Sequence, residues 1–264
     1  MREQILARIN ELTKEDVMVA FSGGADSSLV LKLCCDGARE NNTKVYAVML
    51  STRLHPTGDV EIARKAADEI GAEFMVLNVD ELEEADIENN PKDRCYLCKK
   101  CLFTKLKGEA AKLGITRVLE GTNGDDLKVY RPGIRAIDEL GIISPLAEGQ
   151  ITKREVRSWL SELGISVADR PSSPCLATRL PYGDVIDYDL LSRIDKGEAY
   201  IRKLGFYNVR LRVHKNVARI EVDKTDISRL VSYSNQIISE LKKLGFVYIT
   251  LDMEGFRSGS MDIE

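Results

Sequence analysis

The stretch that most constrains how this chain can fold is Ser22-Gly23-Gly24-Ala25-Asp26-Ser27. An apolar run, Val17-Met18-Val19-Ala20-Phe21, precedes it, and a helical pattern with Leu29, Val30 and Leu33 follows. The order is strand, glycine-rich turn, helix. Two glycines let backbone approach a ligand closely and take positive φ where the turn needs it. The helix start offers unpaired N–H groups to an anion. Ser22, Ser27 and Ser28 add hydroxyl donors. Asp26 would repel a phosphate directly, so it is expected to meet one through Mg2+. The Gly-Lys-Ser/Thr ending of a Walker A loop is missing.

The sequence around this loop repeats its grammar. Residues 1–13 have Ile5, Leu6, Ile9 and Leu12 at helical spacing. Lys44 to Leu50 reads as a buried strand, 58–70 as a helix, and Phe74-Met75-Val76-Leu77 as another strand. This βαβαβ rhythm predicts an α/β fold, a parallel sheet with helices on both faces. Ligands on such sheets lie beyond the carboxyl ends of the strands. Arg53, just after the second strand, faces either a nucleotide there or solvent. Residues 80–94 read as a loop. A helix with Phe103, Leu106, Ala110 and Leu113 leads to a short strand at Val118-Leu119. Gly121, Thr122 and Asp125 follow that strand, a set suited to a second metal-and-phosphate contact. Arg131 and Arg135 read as loop residues able to hold a carboxylate or phosphate. Thr152 and Glu155 form a capping box for a helix over 152–163.

After Pro181-Tyr182-Gly183 the pattern changes. A helix over 188–204, half-buried strands at 209–214 and 217–222, a helix over 225–244 and a strand at 248–251 predict a smaller C-terminal α+β domain. The expected division is 1–184 and 185–264.

The six cysteines cluster. The first dozen residues are amphipathic and charged, not a signal peptide, and no apolar run reaches transmembrane length. A cytoplasmic protein with no membrane partner is expected. The net charge of −4 argues against broad nucleic-acid binding. Cysteines in such a chain read as metal or redox chemistry rather than disulfides. Cys95 and Cys98 open a helix at metal-ligand spacing. Cys101 either extends that spacing or belongs to the core, and Cys34 and Cys35 read as structural. Cys175 lies between prolines and serines that hold the chain extended, with Arg179 four residues on to favour a thiolate.

The loop resembles the pyrophosphate loop of the ATP pyrophosphatases, whose fold is adenine nucleotide alpha hydrolase-like. A Gly-Thr-Asn segment like Gly121-Thr122-Asn123 lies near the loop in that superfamily. With Pro174-Cys175-Leu176-Ala177-Thr178-Arg179 and the terminal Gly255-Phe256-Arg257-Ser258-Gly259-Ser260-Met261-Asp262, nearly the whole chain resembles one group. These are the ATP-dependent sulfur transferases that help build the nickel-pincer cofactor of lactate racemase.

The resemblance implies a substrate, a pyridinium biscarboxylic acid mononucleotide, whose carboxylate attacks ATP to give an acyl adenylate and pyrophosphate. Sulfur then displaces AMP. It implies a 4Fe–4S cluster held by Cys95, Cys98 and Cys175, fed by a sulfide source; zinc or no metal is the alternative at these cysteines. In the sacrificial version Cys175 itself gives its sulfur. Tyr96 then stacks on the pyridinium or is core. Arg210 and Arg212 match positions that bind the substrate phosphate, and Glu198 and Glu221 match acidic positions that bind metal or are solvated charges. A homo-oligomer, a hexamer, is implied, with the small domain contributing contacts. A tRNA-thiolating enzyme and a non-catalytic nucleotide or iron–sulfur scaffold are the competing readings.

Overall fold

The computed structural model describes residues 2–56, 58–129, 131–170, 174–257 and 259–261. Of the segments singled out above, Pro171-Ser172-Ser173, Ser258 and Asp262 lie outside the described residues. The chain divides into two units: Met1–Thr52 with Thr57–Asp86 and Asp93–Ser172, and Arg53–Pro56 with Ile87–Lys92 and Ser173–Glu264.

The first unit runs α1 (Arg2–Leu12), β1 (Val17–Ala20), α2 (Ala25–Asn41), β2 (Val45–Ser51), α3 (Asp59–Ile70), β3 (Glu73–Asn78), α4 (Glu81–Glu84), α5 (Arg94–Lys112), β4 (Arg117–Leu119), α6 (Pro132–Glu139), α7 (Pro145–Glu148) and α8 (Lys153–Glu162). Its four strands are parallel, in the order β3-β2-β1-β4. Strand alternation explains why both faces are covered. Val17 and Val19 of β1 join one apolar cluster with Leu29, Val30, Ala47 and Leu160. Met18 between them joins a second, with Val48, Phe103, Leu106 and Ile137. A sheet buried on both sides needs strands apolar at every position, which is what Val-Met-Val-Ala supplies. Each fully buried aliphatic side chain contributes about 1.5–3 kcal/mol. The capping box forms as expected: Glu155 N–H donates to Thr152 Oγ1 at 3.3 Å, and Thr152 N–H donates to Glu155 Oε2 at 2.8 Å.

Two stretches expected as loops carry helix. Residues 80–94 include the single turn α4. Arg131–Arg135 enters α6, because Pro132 sits in its first turn and Ala136 and Ile137 are buried on one face.

The second unit contains α9 (Tyr188–Lys203), β5 (Val209–His214), β6 (Val217–Val222), α10 (Ile227–Ser232), α11 (Ser234–Lys243) and β7 (Tyr248–Leu251). The sheet order is β5-β6-β7, with β5 antiparallel and β7 parallel to β6. The helix expected over 225–244 is split at Tyr233, whose ring packs edge-on against Phe206 at 6.0 Å. The expected half-buried alternation of β5 is also corrected. Five of its six residues are buried, Arg210 and Arg212 included. Among the described residues no helix is long and apolar enough to cross a membrane.

Candidate active site

The turn after β1 is shaped by close backbone approach. Gly23 has φ +67°, and a Cβ there would lie 2.7 Å from the Ala63 Cα. Gly24 is the N-cap of α2 and supplies no side-chain cap, so the seventeen-residue helix presents its first amides as an anion seat. Ser22 and Ser27 hydroxyls lie 3.1 Å apart, and Ser27 Oγ donates to the Gly24 carbonyl at 3.2 Å. Ser28 is fully buried, with its Oγ inside the packing. A Cβ on Gly121 would meet Ser27 N at 2.7 Å, so the end of β4 runs directly against this turn. Only a glycine allows that contact.

Asp26 receives an amide N–H of Asn123 at 3.2 Å and an ion pair from Lys153. Asp125 accepts from Lys128 Nζ and from the Lys153 backbone N–H, each at 2.9 Å. Those bonds hold its carboxyl below the usual range. Thr122 is buried, its N–H and hydroxyl both donating to Glu120 at 2.8 Å. Arg131 is exposed and pairs with Asp126 at 2.9 Å. Two residues of this site escaped the sequence reading. Lys153 follows the Thr152 cap, and that cap was a signal for where its side chain would project. Arg170 donates to the Gly23 carbonyl at 3.0 Å while pairing with Asp59 at 2.6 Å. No local pattern marks it.

All six cysteines are thiols. Cys34 and Cys35 are buried in α2; burial pushes both up, Cys35 to about 11, as suits structural residues. Cys95 and Cys98 lie in the first turns of α5, one exposed and one half-buried. Arg94 Nη2 lies 3.8 Å from Cys95 Sγ. Cys101 is not core: it is half-buried beside Glu84, Leu97 and Lys105 in a shallow cleft, and burial, then Glu84, raises its thiol. Among the described residues no three His, Cys, Asp or Glu side chains are grouped to hold a metal. Tyr96 is buried and committed. Its hydroxyl donates to Glu139 at 2.7 Å and accepts from Lys100 and Arg135, and Arg135 covers its ring at 4.1 Å.

In the second unit Arg53 is exposed and lies 3.5 Å from the Tyr188 ring centre. Arg179 is 1% exposed and forms a two-bond pair with Glu198 at 2.8 and 2.9 Å. Glu198 also pairs with Arg202 and accepts from the Leu211 N–H at 2.9 Å. Burial pushes its carboxyl up, but the Arg179 bonds and the Arg179 and Arg202 charges outweigh that and leave it below the usual range. Arg212 pairs with Glu221 at 3.1 Å, and Arg219 and Ser260 also reach Glu221. Glu198 and Glu221 are therefore not solvated surface charges; both are fully buried. Arg210 differs. Among the described residues no carboxylate pairs with it; it donates to its neighbour's carbonyl and faces Phe256 at 5.0 Å. Burial, then the Arg179 charge, pulls it down to about 10. A buried guanidinium still charged at neutral pH has charge to offer an anion.

Comparison with known proteins places this geometry. The NAD synthase family matches residues 1–104. An uncharacterized protein of Synechocystis is 40% identical over 93% of this chain and 91% of its own length. The pyridinium-3,5-bisthiocarboxylic acid mononucleotide synthase of Lactiplantibacillus plantarum is 36% identical over 98% of this chain and 92% of its own. A tRNA-specific 2-thiouridylase of Acidothermus cellulolyticus is 26% identical over 65% of this chain and 57% of its own. The chain belongs to the family of ATP-dependent sulfur transferases represented by the Lactiplantibacillus synthase, built on the pyrophosphate-loop α/β fold.

Proposed function

We propose that this enzyme adenylates a carboxylate of pyridinium-3,5-biscarboxylic acid mononucleotide and converts it to a thiocarboxylate, in nickel-pincer cofactor biosynthesis in the cytoplasm. The observation that carries the reading is the anion seat at Gly24–Ser27 with Asp26 beside it, on a chain that matches the synthase over 98% of its length. The first unit is assigned ATP. Amides at the start of α2 and the hydroxyls of Ser22 and Ser27 hold the departing pyrophosphate, where charge develops. Asp26 follows β1 and Asp125 follows its neighbour β4, two carboxylates whose chemistry fits Mg2+, which would neutralise phosphate charge when bound. Lys153 keeps Asp26 paired until then. In the second unit Arg210, with Arg212 beside it on β5, is assigned the substrate phosphate. The C-terminal domain is assigned substrate binding and the contacts of a homo-oligomer.

Two thiols at Cys95 and Cys98, one exposed and one half-buried, suit iron–sulfur ligation by their chemistry; Cys175 is assigned as the third ligand, though among the described residues no three such side chains are grouped. When bound, a 4Fe–4S cluster would supply the sulfide that displaces AMP. Anaerobic purification followed by absorbance, iron and acid-labile sulfide tests this. A brown protein with about four irons per chain is expected. Colourless protein after anaerobic reconstitution overturns the cluster, and Cys175→Ala protein that keeps its full iron content overturns the ligand set. A second reading, in which Cys175 gives up its own sulfur, is favoured by the hydrogen bonding around its carbonyl.

A further inference from the structure

The Cys175 carbonyl oxygen collects three donors. The Thr178 N–H reaches it at 3.1 Å, the Thr178 hydroxyl at 2.8 Å and Arg179 Nη1 at 3.2 Å. The same Nη1 lies 3.1 Å from the Pro174 carbonyl and 2.9 Å from Thr178 Oγ1. The peptide is held from its other end as well, since the Leu176 N–H donates to the Leu54 carbonyl at 2.7 Å. The donors are themselves anchored. Arg179 is locked by buried Glu198, and the Thr178 carbonyl accepts from Arg212 at 2.8 Å, with Arg212 fixed by Glu221. A carbonyl oxygen has two lone pairs, and one or two bonds satisfy it in an ordinary turn. The Thr178 N–H bond is the one the 3-10 turn at 176–179 makes for itself; the Thr178 hydroxyl and a guanidinium held by an inward ion pair add two donors beyond it.

We propose that this arrangement is an oxyanion hole for the Cys175 carbonyl, formed by Thr178 and Arg179, and that it serves cleavage of the Cys175 Cβ–Sγ bond. The inference rests on the reading in which Cys175 attacks the acyl adenylate and becomes a thioester. The step is an elimination. A solvent base removes the Cys175 Cα proton, and negative charge passes onto the carbonyl oxygen, where the three donors meet it. The electron pair returns to form Cα=Cβ, and the Cβ–Sγ bond breaks with its pair going to sulfur. The product leaves as a thiocarboxylate and residue 175 becomes dehydroalanine, with no change in overall oxidation state. An amide Cα–H is a weak acid, so stabilising the charge that forms on the adjacent oxygen is the requirement for this step. Nothing in adenylation, or in simple thiolate attack, calls for donors at that carbonyl. The Cys175 side chain is half-buried, not sealed in the core.

The test uses full-length protein with ATP, Mg2+ and pyridinium-3,5-biscarboxylic acid mononucleotide. Intact mass follows the thioester and the dehydroalanine, both normalised to pyrophosphate released. In Thr178→Val the hydroxyl donor is gone but the side-chain shape is kept. Dehydroalanine per pyrophosphate should form on the order of 100-fold more slowly, with thioester accumulating, as for loss of one oxyanion-hole donor. Thr178→Ser, which keeps the hydroxyl, should restore the wild-type ratio, a rescue that a purely structural role of the threonine methyl would not give. Elimination from the Thr178→Val thioester at the wild-type rate would overturn the hole alone. Wild-type protein that makes thiocarboxylate while residue 175 stays cysteine would overturn the sacrificial reading, and the hole with it.

Discussion

The two units hold charge in opposite ways. Around the first unit's turn, Asp26 is shared between Asn123 and Lys153, and the Asp26 and Lys153 side chains are 22% and 34% exposed. In the second, the Glu198 carboxylate is wholly buried with Arg179, Arg202 and a backbone amide around it. Half-exposed partners re-pair at small cost, as a site that must admit a triphosphate and its metal requires. Buried partners do not, because either one alone is stranded in low dielectric. The first arrangement fits a place where charge arrives and leaves, and the second a place where geometry is fixed in advance.

The contrast breaks most directly at Glu198. Glu198→Ala leaves two arginines without their acid, and should destabilise the protein by about 3–5 kcal/mol in chemical denaturation. A loss under 1 kcal/mol would mean the pair is no anchor. Gly121→Ala comes next. A Cβ there meets Ser27 N at 2.7 Å, so the turn must shift, and pyrophosphate release should fall on the order of 100-fold. Lys153→Met removes an exchangeable partner, not a buried one. It should lower kcat/KM for ATP about tenfold, with little change in the denaturation midpoint.

The smallest effect sharpens the same contrast. Glu139, like Glu198, has three side-chain or amide donors around it, but on the surface. Hydrogen bonds from Arg135, Lys100 and Tyr96 hold its carboxyl at about 2, against 4.5 ordinarily. A depressed carboxylate stabilises the fold above its unfolded value and loses that contribution as pH falls through the folded one. The Tm difference between wild type and Glu139→Gln should therefore be full above pH 4.5 and close as pH drops toward 2. A difference that is flat over this range would contradict the assigned bonds.

What could be read in the sequence follows from range. Val17 to Phe21, the two glycines and Leu29-Val30 carry strand, turn and helix in local spacing, so the sheet and its loop were legible. So was the Thr152–Glu155 cap, whose parts are three residues apart. Contacts set by tertiary packing were not. Arg170 reaches Gly23 across 147 positions, and Arg179 meets Glu198 across 19. The burial of Arg210 and Arg212 also hid behind an alternating pattern that ordinarily means one wet face. Arg131 and Arg135 read as loop residues, yet Pro132 between them lies in the first turn of α6, where proline starts a helix.

The most direct test of the central claim is where ATP is cut. Purified protein is incubated with Mg2+ and ATP, with and without pyridinium-3,5-biscarboxylic acid mononucleotide, and the nucleotide products are resolved. AMP and pyrophosphate formed only when the mononucleotide is present is the predicted result. ADP and phosphate, or pyrophosphate release indifferent to the mononucleotide, would contradict it.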